Sequence, residues 1–212
     1  MTYKYLPVSL SLEGKRCLVV GGGNVALRKI ETLLEYNAAL TVVAIEPVDK
    51  LNYYAEKGKL MLEKREYQSP EAARYDIVIA ASDSLESNQV VARDCREAHV
   101  PINAVDSPDL CDFIFPAILR RDCLTVAVST DGKAPFLSGH LRLILDSVFP
   151  ERWAKIARYA AQFRNMVFSR WKDNRTMKLK AYGRFLDADW KQMTNDLDDS
   201  QIEIALEKML EE

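Results

Sequence analysis

The sequence has almost no net charge and no long hydrophobic run, and each absence excludes a class of protein. Its 29 basic and 31 acidic side chains leave a formal net charge of −2, which does not support a nucleic-acid-binding surface. No apolar stretch is long enough to cross a bilayer, and the first residues lack the basic start and apolar core of a signal peptide. We therefore expect a soluble cytoplasmic protein with no nucleic-acid or membrane partner.

Cysteine and histidine are also scarce, with four and two residues. The cysteines are Cys17, Cys95, Cys111 and Cys123, and no two of them form a CxxC pair or another zinc-ligand spacing. The sequence therefore predicts free thiols in a reducing compartment and no metal site.

Strand and helix patterns alternate through the first half of the chain. Short apolar runs typical of buried strands lie at residues 16–20, 40–45, 76–81 and 100–105, and helical spacing occurs at 24–36 and 88–98. This alternation predicts an α/β fold with a Rossmann-like parallel sheet that is covered by helices on both faces.

The pattern changes after residue 112. Residues 113–119 and 124–129 resemble strands separated by a polar turn at residues 120–122, Pro135 can begin a helix, and no strand pattern follows Glu151. We predict three parts: a dinucleotide-binding domain at 1–112, a small strand-containing linking region at 113–149 and a helical C-terminal domain at 150–212.

Three glycines separate the first predicted strand from the first helix. The run Gly21-Gly22-Gly23-Asn24-Val25-Ala26 fits the pattern G-x-G-x-x-A in the required strand-to-helix position. In this pattern Gly21 allows the sharp turn, Gly23 lets the backbone approach a pyrophosphate, and Ala26 lets the helix pack on the strand. The helix N-terminus would then hold the phosphate charge. The alternative is a glycine-rich turn that binds nothing.

Ile45 and Glu46 follow the second strand, about where a carboxylate should meet the ribose 2′-hydroxyl of NAD. An acid there repels the extra phosphate of NADP, so Glu46 favours NAD as the cofactor. An ordinary solvated loop acid is the alternative.

Polar residues also end the next two core strands. Ala81, Ser82 and Asp83 follow the third strand and Asp106 follows the fourth, and ligands of open parallel sheets bind at the carboxyl ends of the strands. We therefore predict that the first three contact the cofactor. From position alone, Asp106 is either a catalytic carboxylate or a turn residue before a proline.

These motifs make the chain similar to the precorrin-2 dehydrogenase domain of siroheme synthases. The glycine run continues into Leu-Arg-Lys at 27–29, and three further segments match in order. They are Asn-Ala-Val-Asp-Ser-Pro at 103–108, Phe-Ile-Phe-Pro-Ala at 113–117 and Val-Ala-Val-Ser-Thr-Asp-Gly-Lys-Ala-Pro at 126–135. Ala-Arg-Tyr-Ala at 157–160 matches the start of the family's helical domain, so the resemblance covers about residues 5 to 170.

The resemblance implies that NAD oxidises precorrin-2 to sirohydrochlorin. Asp106 matches the family's essential acid/base aspartate, and the region after the Rossmann domain implies a homodimer. Some relatives also insert Fe²⁺ into sirohydrochlorin, and the resemblance leaves that activity open. An NAD-sensing regulatory module and a chelatase with a vestigial dinucleotide site remain as alternatives. The chain lacks the methyltransferase domain of some relatives, so we expect precorrin-2 to come from a separate enzyme.

The resemblance also predicts cationic substrate contacts. Many relatives carry an arginine where this chain has Gly139, and a polycarboxylate substrate needs cationic partners. The candidates are Arg120, Lys133, His140 and Arg142, and for each of them a solvated surface position is the alternative.

Overall fold

The computed structural model describes residues 4–211. Contacts divide the chain into two compact units, with the boundary between Phe115 and Pro116. The three-part division at 112 and 149 stays a prediction.

The first unit is a five-stranded parallel sheet in the order β3-β2-β1-β4-β5. Its strands are β1 (Arg16–Val20), β2 (Ala39–Val43), β3 (Met61–Glu63), β4 (Ile77–Ala80) and β5 (Ile102–Ala104). Its α-helices are α1 (Asn24–Leu34), α2 (Asp49–Glu56) and α3 (Leu85–Glu97), and short 3₁₀ helices span Glu71–Arg74 and Pro108–Leu110. The predicted strand–helix alternation and parallel sheet are both present.

The central strands are mostly apolar because both faces of the sheet are covered. In β1, Val19 packs in the same cluster as Ile30 of α1, whereas Leu18 packs in the opposite cluster with Val91 of α3. The side chains of Leu18 and Val19 are both fully buried. A strand with two buried faces shows a continuous apolar run instead of alternation, which is why these strands could be predicted.

The sequence did not predict α2 or β3, because neither has a strong apolar pattern. Leu51 is the buried residue of α2, and β3 is a three-residue edge strand whose Met61 is exposed. Short edge strands and polar surface helices need little apolar surface, so they leave a weak signal.

The second unit begins with an antiparallel hairpin of β6 (Ala117–Arg121) and β7 (Leu124–Val128). Five helices follow: α4 (Pro135–Val148), α5 (Arg152–Arg170), α6 (Arg175–Asp187), α7 (Trp190–Asp196) and α8 (Asp199–Glu211). Within residues 151–211 there is no strand, as predicted. No helix among residues 4–211 is long and apolar enough to cross a membrane.

Two predictions for the hairpin were wrong. Residues 113–116 are not in a strand, and Arg120 and Arg121 belong to β6 instead of the turn. The two-residue turn is Asp122-Cys123, with Asp122 at a positive φ of 57°. Arg121 is buried in its strand because its guanidinium group donates to the carbonyl of Phe149 (2.7 Å) and to Asp146 (2.8 Å).

Candidate functional site

The carboxyl ends of four neighbouring strands lie in one row across the first unit. Val20 of β1 is in register with Val43 of β2 and Ala80 of β4, and Ala80 is in register with Ala104 of β5. Adjacent strands are roughly 4.8 Å apart, so the row from β2 to β5 spans about 14 Å. The loops that follow contain the predicted cofactor residues and Asp106, so the fold brings these residues to one edge of the sheet.

The turn after β1 requires glycine at Gly21. Its φ is +124°, and a Cβ atom there would lie 2.2 Å from the carbonyl oxygen of Ala81. The Gly21 N–H donates to the carbonyl of Val43 at 2.9 Å. The first glycine therefore serves the sharp turn, as its place in the motif predicted.

Gly22 has a packing role that the sequence did not reveal. A Cβ atom on Gly22 would lie 2.7 Å from the Cβ of Ala44 and 2.8 Å from the Cα of Pro47. Its carbonyl accepts the N–H of Val48 at 3.0 Å. The second glycine thus lets the β2 loop pack closely against the glycine turn, a contact between positions more than 20 residues apart in sequence.

Gly23 differs from the first two glycines because the space beside it is open. A Cβ atom there would meet no heavy atom of the described part of the chain within 4 Å. Gly23 is the N-cap of α1, no side chain caps this end of the helix, and its first turn contains no acidic residue. Asn24 and Val25 in this first turn are exposed. An open approach to the N–H groups of a helix N-terminus fits the pyrophosphate of a dinucleotide.

The loop after β2 presents Ile45 and Glu46 to solvent. The N–H of the preceding residue, Ala44, donates to the carbonyl of Glu63 at 3.1 Å and so fixes the start of the loop. The Glu46 carboxylate forms no hydrogen bond or ion pair with the rest of residues 4–211, so it is available to accept from a ribose hydroxyl.

The loop after β4 is held by a residue that the sequence did not single out. The Asn88 side chain, which is 4% exposed, accepts the N–H of Ser82 at 3.1 Å and donates to the carbonyl of Ser82 at 2.8 Å. The Ser82 hydroxyl accepts the N–H of Ser84, and Asp83 is exposed. Ala81, which begins the loop, is buried against the glycine turn.

Asp106 lies in the turn after β5, at a positive φ of 56°. The N–H of Val105 donates to the carbonyl of Ala80 (2.9 Å), and that of Ser107 donates to the carbonyl of Ala104 (3.3 Å). The turn is therefore tied to the strand ends. The Asp106 side chain is exposed, and its carboxylate has no hydrogen-bonding or ionic partner among residues 4–211.

A polar network around the buried Asn103 and Cys111 side chains fixes β5 just before this turn. Asn103 donates to the carbonyl of Phe113 at 2.9 Å, and Asp112 accepts the N–H of Ile102 at 3.1 Å. The thiol of Cys111 lies 3.2 Å from the N–H of Ala104, and burial raises the pKa of this thiol. The polar Asn103 in an apolar strand is the sequence signal that could have revealed this network.

Lys29 of α1 is a half-buried cation in the same unit. Its Nζ lies 4.1 Å from the centroid of the Phe115 ring, and burial lowers the pKa of its amino group. Lys29 is part of the segment that resembles the family motif, and no role was predicted for it.

The predicted substrate-binding cations all lie in the second unit. Arg120 is in β6, Lys133 is exposed in the loop before α4, and His140 and Arg142 are on α4. His140 and Arg142 are two positions apart on the helix, so they face different directions. No cluster of three His, Cys, Asp or Glu side chains suited to a metal ion occurs in the described part of the chain.

The glycine turn and the loops beside it have the geometry of a dinucleotide site, and a comparison with protein-family models agrees with this. The family model described as "Putative NAD(P)-binding" matches residues 8–117, more than half of the chain. The chain belongs to this NAD(P)-binding family. The matched range contains the glycine turn and the loops after β2, β4 and β5 at the carboxyl edge of the sheet, which confirms the predicted dinucleotide cofactor.

Siroheme synthases of several bacteria are similar to this NAD(P)-binding chain. That of Methylococcus capsulatus is 41% identical over 163 residues, which cover 77% of this chain and 34% of the relative. That of Pseudomonas putida is 43% identical over 169 residues, which cover 80% of this chain and 36% of the relative. The chain spans about a third of the length of these curated relatives. The similarities confirm the predicted resemblance to siroheme synthases.

A solved structure named "SirC, precorrin-2 dehydrogenase" has the same fold. Its TM-score to this chain is 0.75 at 23% identity, with 98% of each chain covered. This match confirms the predicted architecture of a Rossmann-like sheet, a small strand-containing region and a helical C-terminal part.

Proposed function

We propose that this chain catalyses the NAD-dependent oxidation of precorrin-2 to sirohydrochlorin in the cytoplasm. One observation carries the proposal: an open glycine turn and the Asp106 carboxylate, which has no partner among residues 4–211, share one edge of the sheet. The resemblance of four ordered motifs to precorrin-2 dehydrogenases supplies the substrate, and the names of the similar proteins support it.

Asp106 has the chemistry and the surroundings of a general base. When bound, the oxidised nicotinamide would supply the hydride acceptor. Oxidation of precorrin-2 also releases a proton, and the exposed Asp106 carboxylate would accept it. Since no side chain among residues 4–211 competes for this carboxylate, both of its oxygens stay available to the substrate. The products are then sirohydrochlorin, NADH and one proton.

The assay that tests the proposal is anaerobic incubation of the protein with precorrin-2 and NAD. We expect NADH and sirohydrochlorin to form together. If the protein binds NAD but forms neither, the dehydrogenase proposal fails and an NAD-sensing module is favoured. If it fails to bind NAD but inserts metal into sirohydrochlorin, a chelatase with a vestigial site is favoured.

Glu46 is proposed to select NAD over NADP. The variant Glu46→Gln removes the negative charge that opposes a 2′-phosphate, so we expect the preference for NAD to fall by about tenfold. The ratio of the two dissociation constants, from calorimetry, measures this. Glu56→Gln, which makes the same change at an exposed position at the end of α2, should leave the ratio unaltered. An unchanged ratio in Glu46→Gln contradicts the assignment.

Iron insertion is a separate part of the proposal, with Fe²⁺ as a substrate. The test compares the rate of siroheme formation from sirohydrochlorin and Fe²⁺ with and without the protein.

Four cationic side chains of the second unit are proposed to bind substrate carboxylates, and they are Arg120, Lys133, His140 and Arg142. Replacing any one of them should raise the KM for precorrin-2 and leave the affinity for NAD unaltered.

We also propose that two copies of the chain form a homodimer through the second unit. Six large apolar side chains of α4 are exposed, and they are Phe136, Leu137, Leu141, Leu143, Ile144 and Val148. Soluble monomers rarely expose a contiguous apolar surface of this kind. The β6–β7 hairpin next to α4 in sequence is a two-stranded sheet whose outer edges have no strand partner within residues 4–211.

A charge on this face should prevent dimerisation. Leu143→Glu introduces a carboxylate at a position that is 58% exposed, and we expect sedimentation to show monomers at concentrations where the wild-type protein is dimeric. Leu186→Glu, at a 77% exposed position on α6, is the matched control and should remain dimeric. A monomeric wild-type protein, or a Leu143→Glu variant that dimerises normally, contradicts the proposal.

A further inference from the structure

Asn88 is a buried polar side chain whose amide oxygen and nitrogen both hydrogen-bond to one neighbour, Ser82. It is the fourth residue of α3 and binds both backbone groups of Ser82, six residues earlier. Its oxygen accepts the Ser82 N–H at 3.1 Å, and its nitrogen donates to the Ser82 carbonyl at 2.8 Å. An amide that supplies one acceptor and one donor to the same residue fixes the orientation of the peptide groups on both sides of that residue.

The peptide group that Asn88 fixes is the one on which the glycine turn rests. A Cβ atom on Gly21 would lie 2.2 Å from the Ala81 carbonyl oxygen and 2.9 Å from the Ser82 nitrogen. The Ala81 N–H also donates to the carbonyl of Val20 at 2.7 Å. The Ala81–Ser82 peptide therefore forms one wall of the turn, and a rotation of this peptide would change the path of Gly21.

Asn88 is not needed to cap its own helix. The N-cap of α3 is Ser84, whose hydroxyl accepts the N–H of Ser87 at 3.2 Å. The helix therefore begins correctly without the Asn88 side chain. Its full burial and its two hydrogen bonds serve the loop and not the helix.

We infer that Asn88 is a positioning residue that shapes the glycine turn for the dinucleotide by holding the Ala81–Ser82 peptide. The inference rests on the proposed dinucleotide site. Asn88 itself touches neither cofactor nor substrate in this account. It acts through Ser82 and Ala81 on the backbone of Gly21.

The variant Asn88→Asp separates a positioning role from simple packing. The aspartic acid side chain has nearly the same shape as asparagine, but it can donate a hydrogen bond only when it is protonated. When the new carboxyl group is protonated, it can donate to the Ser82 carbonyl and accept the Ser82 N–H, as the amide does. When it is ionised, it has only acceptors, and one of them faces the Ser82 carbonyl oxygen. Burial raises the pKa of such a carboxyl group, so its ionisation falls within a pH range in which NAD binding can be measured.

The experiment is calorimetric titration of NAD into the full chain at about pH 5 and about pH 8. For Asn88→Asp, we expect NAD affinity within about threefold of wild type at the lower pH and at least about tenfold weaker at the higher pH. Asn88→Ala, which lacks both hydrogen bonds to Ser82, should bind NAD weakly at both pH values. The matched control is Gln89→Glu, the same amide-to-acid change at the next, exposed position of α3, and it should follow wild type.

Equal NAD affinity of Asn88→Asp and wild type at both pH values would overturn the inference. A wild-type protein that binds no NAD at either pH contradicts the proposed function instead, so the two failures are distinguishable. Hydrogen exchange of the wild-type protein gives a test that needs no variant to fold. The Ser82 amide should exchange slowly because Asn88 accepts its hydrogen bond, and exchange as fast as in an open loop would also overturn the inference.

Discussion

The variant Asp106→Asn should lose turnover by about 10²- to 10⁴-fold while it binds NAD as tightly as wild type. The amide cannot accept the substrate proton, but it has nearly the shape of the carboxylate. Asp106 has a φ of 56°, a conformation that asparagine tolerates well, so the turn after β5 should persist. The Asp106 carboxylate holds no other part of the described chain, so its loss should not destabilise the fold. Single-turnover kinetics with precorrin-2 and calorimetry with NAD measure the two effects.

Asp109→Asn is the matched control for this prediction. Asp109 is an exposed acid three residues further along, in the 3₁₀ helix that follows the turn. Its variant removes the same charge and should keep its turnover. If both variants lose activity equally, the effect is one of overall charge. If neither does, Asp106 is not the base.

Alanine substitutions should separate the roles of the first and third glycines. Gly21→Ala places a Cβ atom on the Ala81 carbonyl and forces alanine to a φ of +124°, so we expect a loss of roughly 2–4 kcal/mol in the free energy of unfolding. Gly23→Ala meets no atom and keeps an allowed φ of −80°, so the free energy of unfolding should fall by at most about 1 kcal/mol. Its methyl group nevertheless stands where the pyrophosphate approaches α1, so NAD affinity should fall by at least about tenfold.

Thermal unfolding and NAD titration of each variant measure this contrast. Gly183→Ala is the control, because it lies in α6 of the second unit and its Cβ atom meets nothing within 4 Å. It should bind NAD normally and be at least as stable as wild type. Normal NAD binding by Gly23→Ala would contradict the placement of the pyrophosphate.

The sheet could be predicted from the sequence because its central strands are buried on both faces. The apolar runs at β1, β2 and β4 reflect that burial directly, and the edge strand β5 is also buried along its length. The hairpin was mispredicted at Arg121, since its interaction with Asp146 lies 25 residues away and no local pattern shows it. A charged residue in a strand looks like a turn residue until its distant partner is known.

The candidate site could be predicted only where chemistry and chain order coincide. The glycine turn and Asp106 each follow an apolar strand, so topology alone places them at one edge. The residues that fix this edge, Asn88 and Asn103, act through backbone groups six and ten residues away. Asn103 stands out as a polar residue in an apolar strand, whereas Asn88 in a helix gives no such signal. In neither case does the local sequence show which backbone group the side chain binds.

The most direct test of the account is the stoichiometry of a single turnover. Precorrin-2 and NAD are mixed anaerobically with an excess of the wild-type protein, and NADH and sirohydrochlorin are measured in the same sample. We predict one NADH for each sirohydrochlorin with wild type, and formation of both products about 10²- to 10⁴-fold more slowly with Asp106→Asn. Sirohydrochlorin formed without matching NADH, or at the same rate with Asp106→Asn, would contradict it.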